Sequence, residues 1–130
     1  MINVCVLAGR LTADPEADET GSGTARTKFR LAVDRQFKRD GGQEADFFSC
    51  VAFGKTAETV AQFCDKGMAV AVDGRVEIDR VEKDGRTNYY TSVIANGVRF
   101  LESKAQAEAR RGGQVPQADS GRGVDPFGDQ

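Results

Sequence analysis

The chain has 130 residues, room for one domain with a true core and hardly for two. Eighteen Lys and Arg stand against 20 Asp and Glu, a formal charge of −2, so any electrostatic footprint for an anionic partner has to be local. The absence of histidine excludes Ser-His-Asp and Cys-His chemistry, and neither an enzyme nor a cofactor is expected.

Ile2 to Leu11 reads as the first strand. Ile2, Val4, Val6 and Ala8 share one face, and Asn3, Cys5 and Leu7 the other. Neither face is fully polar, which suggests burial on one side and a subunit contact on the other. Gly9 allows a bend or a close backbone approach. Asp14-Pro15-Glu16 is turn chemistry, with carboxylates that flank the proline. Asp18, Glu19, Gly21, Ser22 and Gly23 continue it as an exposed acidic loop. Ala25 to Phe37 is the second long strand, with Phe29, Leu31 and Val33 inward and Lys28, Arg30 and Ala32 outward. Residues 38–44 form a hairpin loop. Phe37, beside Lys38 and Arg39, either caps the core edge or offers an aromatic and two cations to a base and its phosphates.

The third strand, Ala45 to Lys55, has two distinct faces. Phe48, Cys50 and Ala52 make a small apolar set suited to a core, whereas Phe47, Ser49, Val51 and Phe53 point the other way, with Lys55 beyond. Two readings stay open from this stretch alone: a strand buried on both sides, or a stacking platform for unpaired bases with cations at its margin. Thr56 to Lys66 reads as a short helix, with Ala57, Val60, Ala61 and Cys64 at helical spacing and Phe63 flanking them.

Met68 to Val81 is the fourth strand. Val70, Val72, Val76 and Ile78 lie on one face and Arg75, Glu77 and Asp79 on the other; Gly74 marks a bulge. Asp84-Gly85 is the strongest short hairpin signal in the chain. Asn88 to Ala95 is the fifth strand, Asn96-Gly97 breaks it, and residues 98–101 complete the ordered part. Residues 103–111 suggest a frayed helix, and from Gly112 the composition is that of a disordered tail. The expected boundary is near Glu102, giving a domain over 1–102 and a flexible linker and tail over 103–130. Cys5, Cys50 and Cys64 lie apart in apolar segments and read as reduced, buried thiols. With no membrane-length apolar run and no signal pattern at the N-terminus, a cytoplasmic protein is expected.

Three strands, a helix and two strands predict a mainly β chain: a five-stranded Greek-key OB-fold barrel with one short helix between the third and fourth strands. At Gly9-Arg-Leu-Thr-Ala-Asp-Pro-Glu16, Phe29-Arg-Leu-Ala-Val-Asp-Arg35, Phe53-Gly-Lys-Thr-Ala-Glu58 and Val72-Asp-Gly-Arg75, in that order, the chain resembles the bacterial single-stranded DNA-binding protein family. The resemblance covers Ile2 to about Leu101. It implies sequence-tolerant binding of single-stranded DNA in replication, recombination and repair, a homotetramer, a place at the bacterial nucleoid, and base stacking on Phe37, Phe47 and Phe53. The family commonly carries tryptophan at the first two of these positions and an aromatic where this chain has Val81. Lys28, Arg30, Lys38, Arg39, Lys55, Arg80 and Arg86 are the candidates for phosphate neutralisation. Asp125, Pro126 and Phe127 match the core of the family's partner-recruiting tail motif, with three residues after Phe127 and a thin acid run. The resemblance therefore implies weak recruitment of replication and repair proteins by this tail. The net negative charge and the missing tryptophans support a rival reading, an OB-fold adaptor that works mainly through protein contacts.

Overall fold

The computed structural model describes residues 1–37, 41, 42 and 44–112. Its elements are β1 (Cys5–Leu11), β2 (Glu16–Glu19), β3 (Ala25–Asp34), β4 (Ala45–Phe53), α1 (Gly54–Phe63), β5 (Ala69–Lys83), β6 (Arg86–Phe100) and α2 (Lys104–Arg111). The sheet runs β1-β5-β6-β4-β3-β2, and β1 also pairs with β3. β1, β5, β6, β4 and β3 therefore close a five-stranded ring, with α1 between β4 and β5: the expected barrel.

Period-two alternation fills that barrel. Phe29 and Leu31 of β3, Cys50 and Ala52 of β4, Val70 and Val72 of β5, and Val93 and Ala95 of β6 are all buried in one cluster. Ala57, Val60 and Cys64 join it from the helix side, while Ala61, expected in that stripe, is exposed. The buried Thr27 hydroxyl donates to the Ala57 carbonyl at 2.8 Å and pins α1 to β3. Burial pushes the Cys50 thiol up to about 12, with Cys5 adding to the effect. Burial likewise lifts Cys64 to about 11, with Asp65 contributing. Both thiols stay protonated and inert at neutral pH.

Two glycines permit the closure. A Cβ on Gly9 would lie 2.3 Å from the Ala32 carbonyl oxygen, where β1 meets β3, and one on Gly74 would lie 1.9 Å from the Ile94 oxygen. At Gly74 the β5–β6 register shifts: Asp73 pairs with Gly97 and Gly74 with Ala95, so Asn96 is the extra residue. The expected bulge is thus in place, but its extra residue sits on β6. The expected break at Asn96-Gly97 is this bulge, and β6 runs through it.

Several boundaries differ from expectation, among them β3, which ends at Asp34 and not at Phe37. β1 starts at Cys5; Asn3 instead uses its side-chain amide, donating to the Val76 carbonyl at 2.8 Å and accepting from the Val76 N–H at 3.0 Å. α1 spans Gly54–Phe63, two residues earlier at its start and three at its end than expected. Part of the acidic loop is β2, a fully exposed edge strand paired along β3 from Glu16↔Lys28 to Glu19↔Ala25.

α2 is docked on the barrel. Ser103 and Gln106 form a capping box, and Ala107 is buried in the core cluster. Arg110 donates to Glu102, to Asp65 at 2.9 Å and to the Lys66 carbonyl at 2.7 Å, and Arg111 donates to Asp65 at 2.7 Å. Arg10 reaches the same Glu102 at 3.2 Å. Burial raises the Asp65 carboxyl pKa, but the hydrogen bonds from Arg110 and Arg111 outweigh it and hold the group below the usual carboxylate range. The expected boundary near Glu102 falls just ahead of this helix. The expected disordered tail beyond residue 112 lies outside the described residues.

Candidate nucleic-acid interface

The side chains of β4 that miss the core define the site. Phe48, Cys50 and Ala52 turn inward, while Phe47 and Phe53 stand on the outer face, 50% and 41% exposed. Of the two readings of this strand, burial on both sides is therefore the wrong one: the outer face is open. Cross-strand register fixes its neighbours, since paired residues share a face. Arg26 lies opposite Phe53, Lys28 opposite Val51, Arg30 opposite Ser49 and Ala32 opposite Phe47. On the other flank, Val51 pairs with Ile94 of β6. Two phenyl rings on a sheet, with three cations on the next strand, are a surface that accepts planar apolar rings and negative charge together.

The cations differ in availability. Arg30 sits over the Phe47 ring, 5.2 Å from its centroid, as a cation–π pair. A base that stacks on Phe47 has to displace that guanidinium or lie against it. Arg26 is engaged by Asp18 through two hydrogen bonds of 2.8 and 2.7 Å. The hydrogen bond from Arg26 holds the Asp18 carboxyl below its ordinary value. Lys28 faces Glu16 in the pairing register but, like Lys55 and Arg86, forms no ion pair among the described residues. Lys55 lies in the first turn of α1, which has no acidic residue and no side-chain cap. The unsatisfied N–H groups of that turn add positive potential beside Phe53.

The remaining sequence-derived candidates are spread out. Phe37 is 80% exposed just past the end of β3, and Lys38 and Arg39 lie outside the described residues. Near that loop's root, Arg35 grips Asp46 through its Nε and Nη2. The hairpin tip is the expected two-residue turn, with positive φ at both Asp84 (54°) and Gly85 (76°). Arg86, Val81 and Tyr90 share the ribbon face continuous with the platform. Arg80 pairs with Tyr89 on the opposite face and is tied to Glu82. The structure thus separates Arg80 from Phe47 and Phe53. Asp125, Pro126 and Phe127 lie outside the described residues. The Asp18–Arg26 clamp has no sign in the sequence, where Asp18 reads as a loop residue, and Tyr90 comes onto Val81's face only through the hairpin's pairing.

A closed five-stranded barrel with a helix between β4 and β5 and an open aromatic and basic face defines an oligonucleotide/oligosaccharide-binding barrel. The sequence model described as "Single-strand binding protein family" matches residues 2–101. The chain is 50% identical over 104 residues to the single-stranded DNA-binding protein of Clostridium perfringens, covering 78% of this chain and 67% of that protein. It is 51% identical over 106 residues to single-stranded DNA-binding protein 3 of Listeria innocua, covering 80% and 66%. Against the single-stranded DNA-binding protein of Clostridium tetani the figures are 50% over 103 residues, 78% and 71%. The chain belongs to the single-strand binding protein family, a family of binding proteins and not of enzymes. It spans about two thirds of the length of the first two of these relatives.

Proposed function

We propose that this protein binds single-stranded DNA with little sequence preference, on the outer face of β3 and β4. The observation that carries the reading is the exposure of Phe47 and Phe53 on the sheet face that also holds Lys28 and Arg30. Stacking uses the π-face that every base has, so it tolerates sequence, and the cations neutralise phosphates with release of counterions. Phe37, Lys55 and Arg86 extend the surface, Lys38 and Arg39 add cationic charge to the binding, and Arg80 acts only if the strand wraps to the ribbon's far side. The relatives' names support DNA as the ligand. Roles in replication, recombination and repair follow from the same kinship.

Residues 1–102 carry the binding domain, α2 packs back onto it, and the chain from there to residue 130 serves as a linker and tail, in which Asp125, Pro126 and Phe127 contact replication and repair proteins weakly. The chain acts as a homotetramer. Support comes from β1, whose Cys5 and Leu7 pack inward while Val4, Val6 and Ala8 lie exposed. The setting is the bacterial cytoplasm and nucleoid; among the described residues no helix is long and apolar enough to cross a membrane.

Titration of a labelled oligo-dT and of a duplex of equal length tests the reading. Tight binding of the single strand and much weaker binding of the duplex is expected, because paired bases cannot reach the rings. Equal affinity for the two would overturn it. The engagement of Arg26 by Asp18 favours one rival, an OB-fold adaptor acting through protein contacts, and the absence of any oligo-dT binding would select that rival.

A further inference from the structure

The two tyrosines of the chain are adjacent, Tyr89 and Tyr90, and both stand on the part of β6 that projects from the barrel. Adjacent strand residues face opposite ways. Tyr89 pairs with Arg80, and Thr91 with Ile78, on the face that runs back to Val76 and the buried Val93. Tyr90 pairs with Asp79 and shares its face with Val81, Asn88 and, toward the barrel, Ser92 and Ile94. Ile94 pairs with Val51 of the platform strand. The outer face of β4 therefore continues up the ribbon and meets Tyr90, which is 56% exposed.

Tyr90 lies four residues before Ile94, as Phe47 lies four before Val51, and β4 and β6 are parallel. Carried on by count past the end of that ladder at Cys50↔Val93, the register sets Tyr90 against Phe47. On this face of the ribbon Val81 offers no ring, so Tyr90 is the aromatic that a strand leaving Phe47 would meet. The charges around it order the contact. Asp79, directly across, repels a phosphate, whereas Lys83 and Arg86 sit together at the tip and attract one. Arg75 is held by Glu77 at 3.0 Å.

We infer that Tyr90 is a base-stacking residue that extends the single-strand path from Phe47 onto the ribbon, with the backbone drawn toward Lys83 and Arg86. Tyr89, on the other face, takes no part. The inference rests on the proposed single-strand binding, and its test separates the two.

The chain has no tryptophan, so each tyrosine can be read by its own emission. Tyr89→Phe leaves Tyr90 as the only reporter, and Tyr90→Phe leaves Tyr89. On saturation with unlabelled oligo-dT, the Tyr89→Phe protein should lose most of its emission and the Tyr90→Phe protein little. Affinity is measured in parallel with labelled oligo-dT. Tyr90→Leu should weaken binding about 5-fold or more, the low end of what one stacked base contributes, and Tyr89→Leu should leave it unchanged. Both the quench and the loss are required. If oligo-dT binds but Tyr90 is not quenched, or Tyr90→Leu binds as well as the parent, the inference fails while the platform stands. A quench confined to Tyr89 overturns it equally. If the parent protein binds no oligo-dT, the platform reading falls and takes the inference with it.

Discussion

The same two strands behave differently at their two ends. In the barrel, Val70, Val72, Val93 and Ala95 of β5 and β6 are sealed in the core, and Ile94 between the last two is buried as well. Beyond Val76 and Ser92 the ladder continues to Lys83↔Arg86, yet every residue from Glu77 to Thr91 is exposed. The β5–β6 ladder runs through both halves, but in the barrel each strand is also paired on its other side, β5 with β1 and β6 with β4, whereas in the ribbon the two strands pair only with each other. The wall is held by apolar burial, and the ribbon by cross-strand pairs, its turn and its root. An isolated hairpin is marginal in water. The exposed Ile78, Val81, Tyr89 and Tyr90 stabilise the monomer little and are free to serve a partner.

The sharpest contrast comes from truncating one side chain in each half. Leu31→Ala removes a fully buried core residue and should cost roughly 2–5 kcal/mol in denaturant unfolding. Ile78→Ala on the ribbon should stay within about 0.5 kcal/mol of the parent. A comparable loss at Ile78 would show that the ribbon is packed against something, a second copy first of all.

On β4 the comparison runs across one strand. Phe47→Ala should weaken oligo-dT binding by about 1–3 kcal/mol with the melting temperature nearly unchanged. Phe48→Ala, packed partly against the core, should lower the melting temperature and leave affinity alone. If Phe48→Ala loses affinity at full stability, the two faces are exchanged.

Within the ribbon, the turn carries the local order. Gly85→Ala places a Cβ at positive φ and should cost roughly 1 kcal/mol. Amide exchange should rise between residues 77 and 91 while the barrel amides keep their protection. Uniform loss across the barrel would mean that wall and ribbon open as one unit.

On the opposite edge, Asp18→Asn frees Arg26. Its effect on affinity should be small and favourable, and the slope of log affinity against log salt should steepen by up to about 0.7, one phosphate's worth. An unchanged slope places Arg26 outside the DNA path. The smallest expected effect is that of pH. The depressed pKa of Asp18 makes its ion pair fully present above the unfolded value of about 4, and the pair is lost only as pH falls through the lower folded value. Asp46, lowered by its hydrogen bonds with Arg35, follows the same course. With no histidine to titrate, affinity should be flat between about pH 5 and 7. A step in that window would contradict it.

The parts of the fold that were legible in the sequence are those where burial imposes a period. Phe47 and Phe48 separate by parity alone, as do Lys28 and Phe29. β2 was not legible, because Glu16 to Glu19 buries nothing and is a strand only through its pairing with β3. Asn96-Gly97 carries turn chemistry that the sheet uses as a bulge, so a local signal was overridden by the close approach at Gly74. Parity also sets Arg80 against Val81, but a group of cations read by composition hides which face each occupies. In α2, the Ser103–Gln106 spacing is a readable cap, whereas the partners of Arg110 lie up to 45 residues away in sequence and leave no local trace.

That dispersion has a consequence for how the molecule assembles. The groups that receive α2 come from three places: Asp65 and the Lys66 carbonyl after α1, Glu102 after β6, and a core site for Ala107. None of these is in position until the ring of strands has closed. A helix of eight residues is too short to persist alone. Docking of α2 is therefore a late event in folding and an early one in opening. Protected amides in α2 therefore imply a closed barrel beneath it, whereas their exchange reports undocking of the helix alone.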